Sequence, residues 1–384
     1  MRKQIISVVT VVFCVILLVT SAGASESRDC ERKIIIFDSK IQAKKQDPIV
    51  AKYGRVVKHL DIINATVAML PAKARERLAK EPGILRIEDD LDVSTCESQI
   101  DVNPEQALPW GIDRVDADLV WTVSTGYGVK IAVIDSGIDL DHPDLAANIK
   151  GGFNTINHKK TADDDYGHGT HVAGIISASN NSIGVVGSAY NAELYAIKTL
   201  DSMGHGKISN VIEAIQWCVE NHMHIANMSI EVRSYSKSFH EAIKKASISG
   251  LIMVAAAGNN GPGLNTINYP AKFDEVVSVA ATDENDMIAS FSSRGPEVDV
   301  AAPGVSIYST YLNSAYAYLH GTSMAAPHVS GAIALKLQQN PGLTPQQVVS
   351  ALKQTSNRIP NVASDEQGAG IIDAFKLIST TQNP

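Results

Sequence analysis

Short apolar segments alternate with amphipathic ones along most of the chain beyond residue 129. Five of these segments are rich in small and β-branched residues and have no polar alternation, which is typical of strands buried on both faces of a sheet. Because helical patterns separate them, they predict an α/β fold, a doubly wound and mainly parallel sheet flanked by helices. The predicted strands are VKIAVID (129–135), ELYAIKTL (193–200), HIANMSI (224–230), LIMVAAA (251–257) and VVSVAAT (276–282).

The region from residue 33 to residue 95 has a separate hydrophobic pattern. Its element order predicts a small α+β domain with the ferredoxin-like split βαβ arrangement, in which the first and last strands are antiparallel neighbours. Residues 94–109 are polar and aperiodic, so they predict a linker. The predicted elements are strand KIIIF (33–37), a helix around DPIVAKYG (47–54), strands within VVKHLDIINATVAML (56–70), helix PAKARERLAKEP (71–82) and strand ILRIED (84–89).

The first 24 residues have the pattern of a secretory signal peptide. A basic start, Met1-Arg2-Lys3, precedes an apolar run of sixteen residues and the small-residue end SAGA. The run is shorter than the roughly 20 residues that span a bilayer, so a membrane anchor is the less favoured alternative. Cleavage after Ala24 would leave a secreted, extracellular chain without stable membrane insertion.

The cysteines downstream of the signal fall into two groups. Cys30 and Cys96 flank the small domain, and the split βαβ arrangement would place them at the same end of its sheet. Export permits disulfides, so they are a candidate pair. Cys218 recurs with apolar residues on a helical period, which favours a buried core thiol over a nucleophile.

Length and charge limit the classes of function. The chain has 384 residues, 45% of them hydrophobic, and a net charge of −8. A globular protein is expected, and the acidic balance argues against nucleic-acid binding. Residues 25–104 carry 14 basic and 14 acidic side chains, and residues 105–384 carry 17 and 27. We therefore expect a signal peptide (1–24), a small domain (25–104) and a larger, acidic domain (105–384), in a monomeric protein.

Three glycine-rich segments hold the residue types that activate a serine. They are AVIDSGIDLDHPDL with Asp135, YGHGTHVAG with His168, and HGTSMAAPHVSG with Ser323. An imidazole can take the hydroxyl proton, and a carboxylate can orient the imidazole and stabilise its charged form. Two of these residues also have a simpler interpretation. Asp135 could be a carboxylate that merely ends a strand, and Ser323 could merely cap the helix that follows it.

These motifs, in the order Asp, His, Ser, resemble those of the subtilisin-like serine proteases, the subtilases. The resemblance extends from about Ile34 to the C-terminus and includes NMS, AAAGNNG, FSSRGPEVDVAAPG and GAGIID. It implies a secreted serine endopeptidase that hydrolyses polypeptides through an acyl-enzyme. Asp135, His168 and Ser323 would form the triad, and the amide of Asn259 would donate to the oxyanion. The intact residues argue against a silent scaffold that only binds peptides.

The resemblance also implies how a substrate is held. An extended peptide would lie between two edge segments and add a strand to them. Two glycines of the family are replaced here by Glu231 and Val232, which could narrow the pocket for the side chain before the cut bond. A carboxylate there could favour Lys or Arg, or Glu231 could face solvent; a narrow processing protease is the matching alternative function. The implied substrate-binding residues are Gly204, His205, Gly206, Ser229, Ile230 and Glu231.

The crowded stretch TADDDYGHGTHVAG raises the question of a metal. Zinc is disfavoured because HEXXH is absent and His168 is assigned to the serine, leaving His171 a structural role and Asp163–Asp165 a solvated acidic loop. By resemblance, a Ca²⁺ site would instead use oxygen ligands. A second, weak cation site could use the carbonyls of Ala271, Phe273 and Val276. The implied Ca²⁺ ligands are the side chains of Gln106, Asp144 and Asn181 and the carbonyls of Ser179, Ile183 and Val185.

The small domain resembles the family's propeptide, an intramolecular chaperone and inhibitor. Such help suits a parallel sheet, whose strands pair over long sequence separations and fold slowly. The chain has extra residues between RIEDD and LPWG, so the end of the propeptide is expected between about residues 96 and 105.

Overall fold

The structure is a computed structural model that describes residues 30–93, 99–102 and 105–380. The signal peptide predicted for residues 1–24 and the cysteine at position 96 lie outside these ranges. The signal peptide and the disulfide of Cys30 therefore remain predictions. Among the described residues, no helix is long and apolar enough to cross a membrane.

The small unit is a four-stranded antiparallel sheet with two helices. The sheet order is β2-β3-β1-β4, and β1 pairs with both β3 and β4. The first helix begins four residues earlier than its sequence pattern predicts. The elements are β1 (Cys30–Phe37), α1 (Ala43–Val50), β2 (Arg55–Leu60), β3 (Ala65–Pro71), α2 (Ala72–Leu78) and β4 (Ile84–Asp89).

Beyond Asp89 the described chain contains twelve further strands and eight further α-helices, and we count the residues up to Val93 with the small unit. The strands are β5 (Asp92–Val93), β6 (Gln99–Val102), β7 (Lys130–Asp135), β8 (Ile149–Asn154), β9 (Glu193–Lys198), β10 (Gly206–Lys207), β11 (Ile225–Met228), β12 (Ile252–Ala256), β13 (Val277–Thr282), β14 (Val300–Pro303), β15 (Ile307–Tyr311) and β16 (Ala315–Leu319). The helices are α3 (Trp110–Arg114), α4 (His168–Ser177), α5 (Ile208–Glu220), α6 (Lys237–Ile248), α7 (Thr322–Gln339), α8 (Pro345–Thr355), α9 (Ser364–Gln367) and α10 (Ala374–Ser379).

Seven of these strands form one parallel sheet, with the order β14-β13-β12-β11-β7-β9-β8. The predicted doubly wound, parallel α/β sheet is confirmed. Two of its strands were not predicted from the sequence. The edge strand β8 reads IKGGFN, and its glycines interrupt the apolar run, while β14 has only four residues and ends in proline.

Helices cover both faces of this sheet. Along β7, Ile131 and Val133 join a core with α4 and α7, whereas Ala132 and Ile134 join a second core with α5 and α6. The small unit sits on the α5 and α6 side, where Ile34 of β1 enters that second core. The other face of its sheet packs separately, around Phe37 and Leu78.

Two small sheets lie near the carboxyl ends of the parallel strands, where we expect the active site. Strand β5 pairs antiparallel with β10, with Val93 opposite Gly206. Strand β6 pairs with β16, with Gln99 opposite Tyr318, five positions before Ser323. The carboxyl ends of parallel strands face this region, which is where doubly wound sheets bind ligands.

Candidate active site

Asp135 and His168 are paired at the carboxyl end of β7. His168 Nδ1 lies 2.8 Å from Asp135 Oδ1 and 3.0 Å from Oδ2, and both side chains are buried. The Ser136 N–H donates to Asp135 Oδ1 over 2.7 Å, which fixes the carboxylate. A carboxylate at Nδ1 favours the tautomer that places the proton there, so Nε2 is left as the basic nitrogen.

The start of α4 holds this histidine in place. Asp164 accepts hydrogen bonds from Gly167 N at 3.0 Å and from Thr170 N at 3.0 Å, so it satisfies N–H groups at the beginning of the helix. His168 Nε2 is buried and has no hydrogen-bond partner among the described residues. It is therefore free to accept a proton from a group that moves into the site.

The prediction of a solvated acidic loop is wrong for one of its three residues, Asp164. Asp164 is 8% exposed and caps α4, as its hydrogen bonds show. Asp165 pairs with the buried ammonium of Lys198 at 2.5 Å, yet its own side chain stays 55% exposed, as the prediction has it. A helix N-terminus stabilises a carboxylate, which explains why Asp164 turns inward.

Ser323 is the second residue of α7 and is 6% exposed. Its hydroxyl donates to the carbonyl of Ser229 over 3.3 Å, and the Ser229 hydroxyl donates back to the Ser323 carbonyl over 2.8 Å. The two hydrogen bonds tie the start of α7 to the segment after β11. Since Ser323 lies in the first turn of α7, its N–H has no acceptor within the helix and can point at a ligand.

The side chain of Asn259 is oriented by the same helix. Its Oδ1 accepts from Thr322 N at 3.0 Å and from Thr322 Oγ1 at 3.1 Å, so its Nδ2 turns the other way. A Cβ placed on Gly321 would lie 3.5 Å from Asn259 Nδ2 and 3.6 Å from Ser323 N. The two N–H donors thus lie beside one point next to Ser323, an arrangement that can stabilise a developing oxyanion.

The predicted cleft segments lie where the small unit meets the larger one. Gly204 N donates to Asp201 O and Asp201 N donates to His205 O, so Gly204 and His205 form a tight turn before β10. Gly206 pairs with Val93 of β5. One edge of the cleft is therefore already occupied by a strand of the chain itself.

The other edge runs from Ser229 through Ile230 to Glu231. Ser229 and Ile230 are buried, and Glu231 is half-buried. Glu231 does not extend freely into solvent, because Asn268 Nδ2 donates to its Oε2 over 2.7 Å. Asn268 lies 37 positions away, and its only signal in the sequence is a turn-rich neighbourhood, so its contact with Glu231 was not predicted.

The six residues expected to bind Ca²⁺ are brought together. Gln106 Nε2 lies 2.9 Å from the Ser179 carbonyl and 3.4 Å from the Val185 carbonyl. Asn181 Nδ2 donates to Asp144 Oδ1 over 2.7 Å. The Ile183 N–H in turn donates to Asn181 Oδ1.

Asp144 is fully buried within this cluster, and burial raises the pKa of its carboxyl group to about 6. Its hydrogen-bond donors in the described chain are the neutral groups Asn181 Nδ2, Val185 N and Tyr316 Oη. A buried carboxylate next to two side-chain amides and several backbone carbonyls offers the oxygen types that a hard cation requires, once the amides turn their oxygens towards it.

The residues considered for zinc and for a second cation site make other contacts. His171 is fully buried, and its Nε2 is 3.0 Å from the carbonyls of Ile307 and Ala317. Burial lowers its pKa to about 3. No group of three or more His, Cys, Asp or Glu side chains suited to a metal occurs in the described ranges. At the second cation position, Phe273 O already accepts from Val276 N at 3.0 Å.

Cys218 is buried in α5, in the core formed with α6. Burial raises the pKa of its thiol, so the reactive thiolate is disfavoured. This agrees with the interpretation of Cys218 as a core residue.

Comparison with known proteins identifies related sequences over most of the chain. A family model described as the subtilase family matches residues 126–370. Subtilisin E of Bacillus subtilis (strain 168) is 40% identical over 373 residues, which cover 95% of each chain. An alkaline protease of Alkalihalobacillus alcalophilus is 38% identical over 370 residues, 92% of this chain and 93% of the relative. Subtilisin Savinase of Lederbergia lenta is 45% identical over 270 residues, 70% of this chain and 98% of the relative.

Proposed function

The chain belongs to the subtilase family and is a serine endopeptidase, and we propose that it is a secreted, self-processing zymogen whose triad is Asp135, His168 and Ser323. The observation that carries the proposal is the oriented pair of Asp135 and His168, whose Nε2 is free to act as a base. The donors of Asn259 and Ser323 beside Gly321 complete the set of groups that acyl transfer needs.

The proposed reaction proceeds in two stages. His168 Nε2 takes the proton of Ser323 Oγ as that oxygen attacks the substrate carbonyl carbon. Asn259 Nδ2 and the Ser323 N–H stabilise the negative oxygen, and Asp135 stabilises the imidazolium. His168 then protonates the leaving amine as the C–N bond breaks. Water repeats the sequence on the ester and restores Ser323.

We assign the inhibitory role to the small unit. Its Asp90 carboxylate accepts from Ser209 N at 2.7 Å at the start of α5, and its Glu88 accepts from Ser238 N at 3.1 Å at the start of α6. Carboxylates at helix N-termini are favourable positions for a docking contact. Since β5 also pairs with β10, the unit would block one edge of the cleft until it is removed.

The expected end of the small unit lies downstream of β5. Val93 is fixed opposite Gly206, and Gln99 is fixed opposite Tyr318 in the strand that leads to Ser323. We propose that the cut lies between about residues 96 and 105, beyond the strand in which Val93 pairs with Gly206.

The cluster around Asp144 is proposed to bind Ca²⁺. Gln106, Asp144 and Asn181 would supply side-chain oxygens, with the Gln106 and Asn181 amides turned so that oxygen faces inward. The carbonyls of the loop 179–185 would supply the rest. The ion would stabilise the fold at this loop and would supply no chemistry to the reaction.

The Ser323→Ala variant tests the proposal directly. Wild-type protein should lose its N-terminal segment after folding, whereas Ser323→Ala should persist as the full precursor. Replacement of the exposed Ser379 by Ala is the matched control and should leave processing unchanged. Normal maturation of purified Ser323→Ala, in the absence of other proteases, would contradict the proposed mechanism. Mass spectrometry of the wild-type N-terminus gives the position of the cut.

A further inference from the structure

We propose that Glu231 and Asn268 form a polar pocket that selects Lys or Arg as the residue before the cut bond and rejects large apolar side chains. The inference rests on the proposed function, because it assumes that Ser323 is the nucleophile. It names the substrate class of that site.

Three segments next to Ser323 enclose the space in question. Val232 and Tyr269 exchange backbone hydrogen bonds of 2.8 Å and 2.9 Å, which bring the segment after Ser229 beside residue 268. Asn268 N donates to Ala257 O over 3.0 Å, two residues before the oxyanion donor Asn259. The side chain before the cut bond must lie close to both Ser323 and Asn259, so it enters this space.

The side chain of Asn268 fills the inner part of that space. It is 7% exposed, and a Cβ placed on Gly258 would lie 2.7 Å from its Nδ2. The same nitrogen donates to Glu231 Oε2 over 2.7 Å. The pocket is therefore shortened by an amide, and its inner surface consists of polar atoms. A large apolar side chain would bury these atoms without offering them hydrogen bonds, which is unfavourable.

The charge of Glu231 has no cationic partner in the described part of the chain. None of the ion pairs between described residues includes Glu231. Arg233, two residues further along the chain, is exposed. Lys272, which follows Asn268 by four residues, lies 3.7 Å from Glu297 instead. A half-buried carboxylate bound only by a neutral amide can form a charge-assisted hydrogen bond with an incoming ammonium or guanidinium group.

A cavity beside Glu231 has room for a long basic side chain. It is open, has a volume of about 290 Å³ and is lined by Leu91, Asp92, Glu231, Val232, Arg233 and Ser234, so it adjoins the carboxylate on a side that Asn268 does not line. Leu91 and Asp92 belong to the small unit and leave with it in the proposed maturation, which widens the approach to Glu231. A Lys or Arg side chain can then lie along Val232 with its charged end at Glu231.

The test uses the self-processed enzyme and a series of peptides that differ only at the residue before the cut bond, namely Lys, Arg, Ala, Leu or Phe. We expect kcat/KM for Lys to exceed that for Phe by at least about tenfold, the scale of one hydrogen bond to a charged group. Glu231→Gln should lower the Lys-to-Phe ratio by about tenfold, and Glu231→Asp should retain the preference for Lys. Asn268→Ala should raise kcat/KM for Phe.

The matched control is Glu284→Gln, which makes the same chemical change at an exposed turn and should not alter the ratio. All values are expressed per active site, titrated with a serine-directed phosphonofluoridate, so a loss of folded enzyme does not resemble a change of specificity. A wild-type preference for Phe, or a ratio that is unchanged in both Glu231→Gln and Asn268→Ala, would overturn the inference. A wild-type enzyme that does not titrate would refute the proposed function instead.

Discussion

The buried ion pair between Lys58 and Glu213 makes a quantitative prediction about inhibition by the small unit. Lys58 lies on β2 and Glu213 on α5, so the pair joins the two parts of the molecule. Their side chains are only 8% and 12% exposed. The Lys58 ammonium also donates to Thr155 O at 2.7 Å and to Asn210 Oδ1 at 3.0 Å. Burial lowers the pKa of Lys58, and the carboxylate of Glu213 opposes this effect.

Lys58→Met would leave the carboxylate of Glu213 buried without its main partner. Removal of one member of a buried pair costs about 3–5 kcal/mol. We take the lower end because His158 Nε2 remains 2.8 Å from Glu213 Oε1. About 3 kcal/mol corresponds to roughly 100-fold in a dissociation constant.

The assay is inhibition of the mature enzyme by an added N-terminal segment, residues 25–96. The Lys58→Met segment should have an inhibition constant about 100-fold higher than wild type. Against a Glu213→Leu enzyme it should regain most of the loss, because an apolar pair no longer buries an isolated charge. Lys52→Met is the control, since the Lys52 side chain is 61% exposed and its neighbour Glu81 lies in the same unit. Unchanged inhibition by Lys58→Met, or no recovery with Glu213→Leu, would refute the reasoning.

Three further predictions concern the larger unit. Asn259→Ala should lower kcat by about 10²–10³-fold with little change in KM, the loss known for such a donor in subtilisin; an equal rise in KM would argue against a role in the transition state. In the uncleavable Ser323→Ala background, a chelator should lower the melting temperature by about 5 °C, as expected for a cation at a thousandfold excess over its Kd, and Asp144→Asn should abolish that response. His171 has a pKa of about 3 in the folded state and an ordinary value of 6.5, so the unfolded state binds more protons between these values. Stability should therefore fall as the pH drops from 6.5 towards 3, and His171→Gln should flatten this dependence in urea unfolding curves, whereas an equally steep curve would contradict the assignment.

Strands that are buried on both faces could be predicted from the sequence, because burial requires a continuous run of apolar residues. The strands that became β7, β9, β11, β12 and β13 are buried on both faces and read as continuous apolar runs. Strand β8 lies at the edge and contains Gly151 and Gly152, so it had no such pattern. A central strand can be predicted from its own residues. An edge strand such as β8 forms because the folded protein places a neighbouring strand beside it.

The residues of the candidate site were predictable because glycine-rich motifs surround each of them. The contacts that complete the site were not. Three consecutive acids suggest a solvated loop, yet Asp164 turns inward because α4 begins four residues later and its first N–H groups need an acceptor. Asn268 reaches Glu231 only because the neighbouring residues Tyr269 and Val232 pair with each other. Such contacts join residues far apart in sequence, and no local pattern records them.

Covalent labelling tests the central claim, the activation of Ser323 by His168 and Asp135, most directly. Mature enzyme would be treated with a serine-directed phosphonofluoridate, and the modified peptide would be identified by mass spectrometry. The account predicts one adduct per molecule, located on Ser323, with a labelling rate that falls at least about a hundredfold in His168→Ala, the lower end of what a general base contributes. No adduct in the wild type, an adduct on another serine, or unchanged labelling of Ser323 in His168→Ala would contradict it.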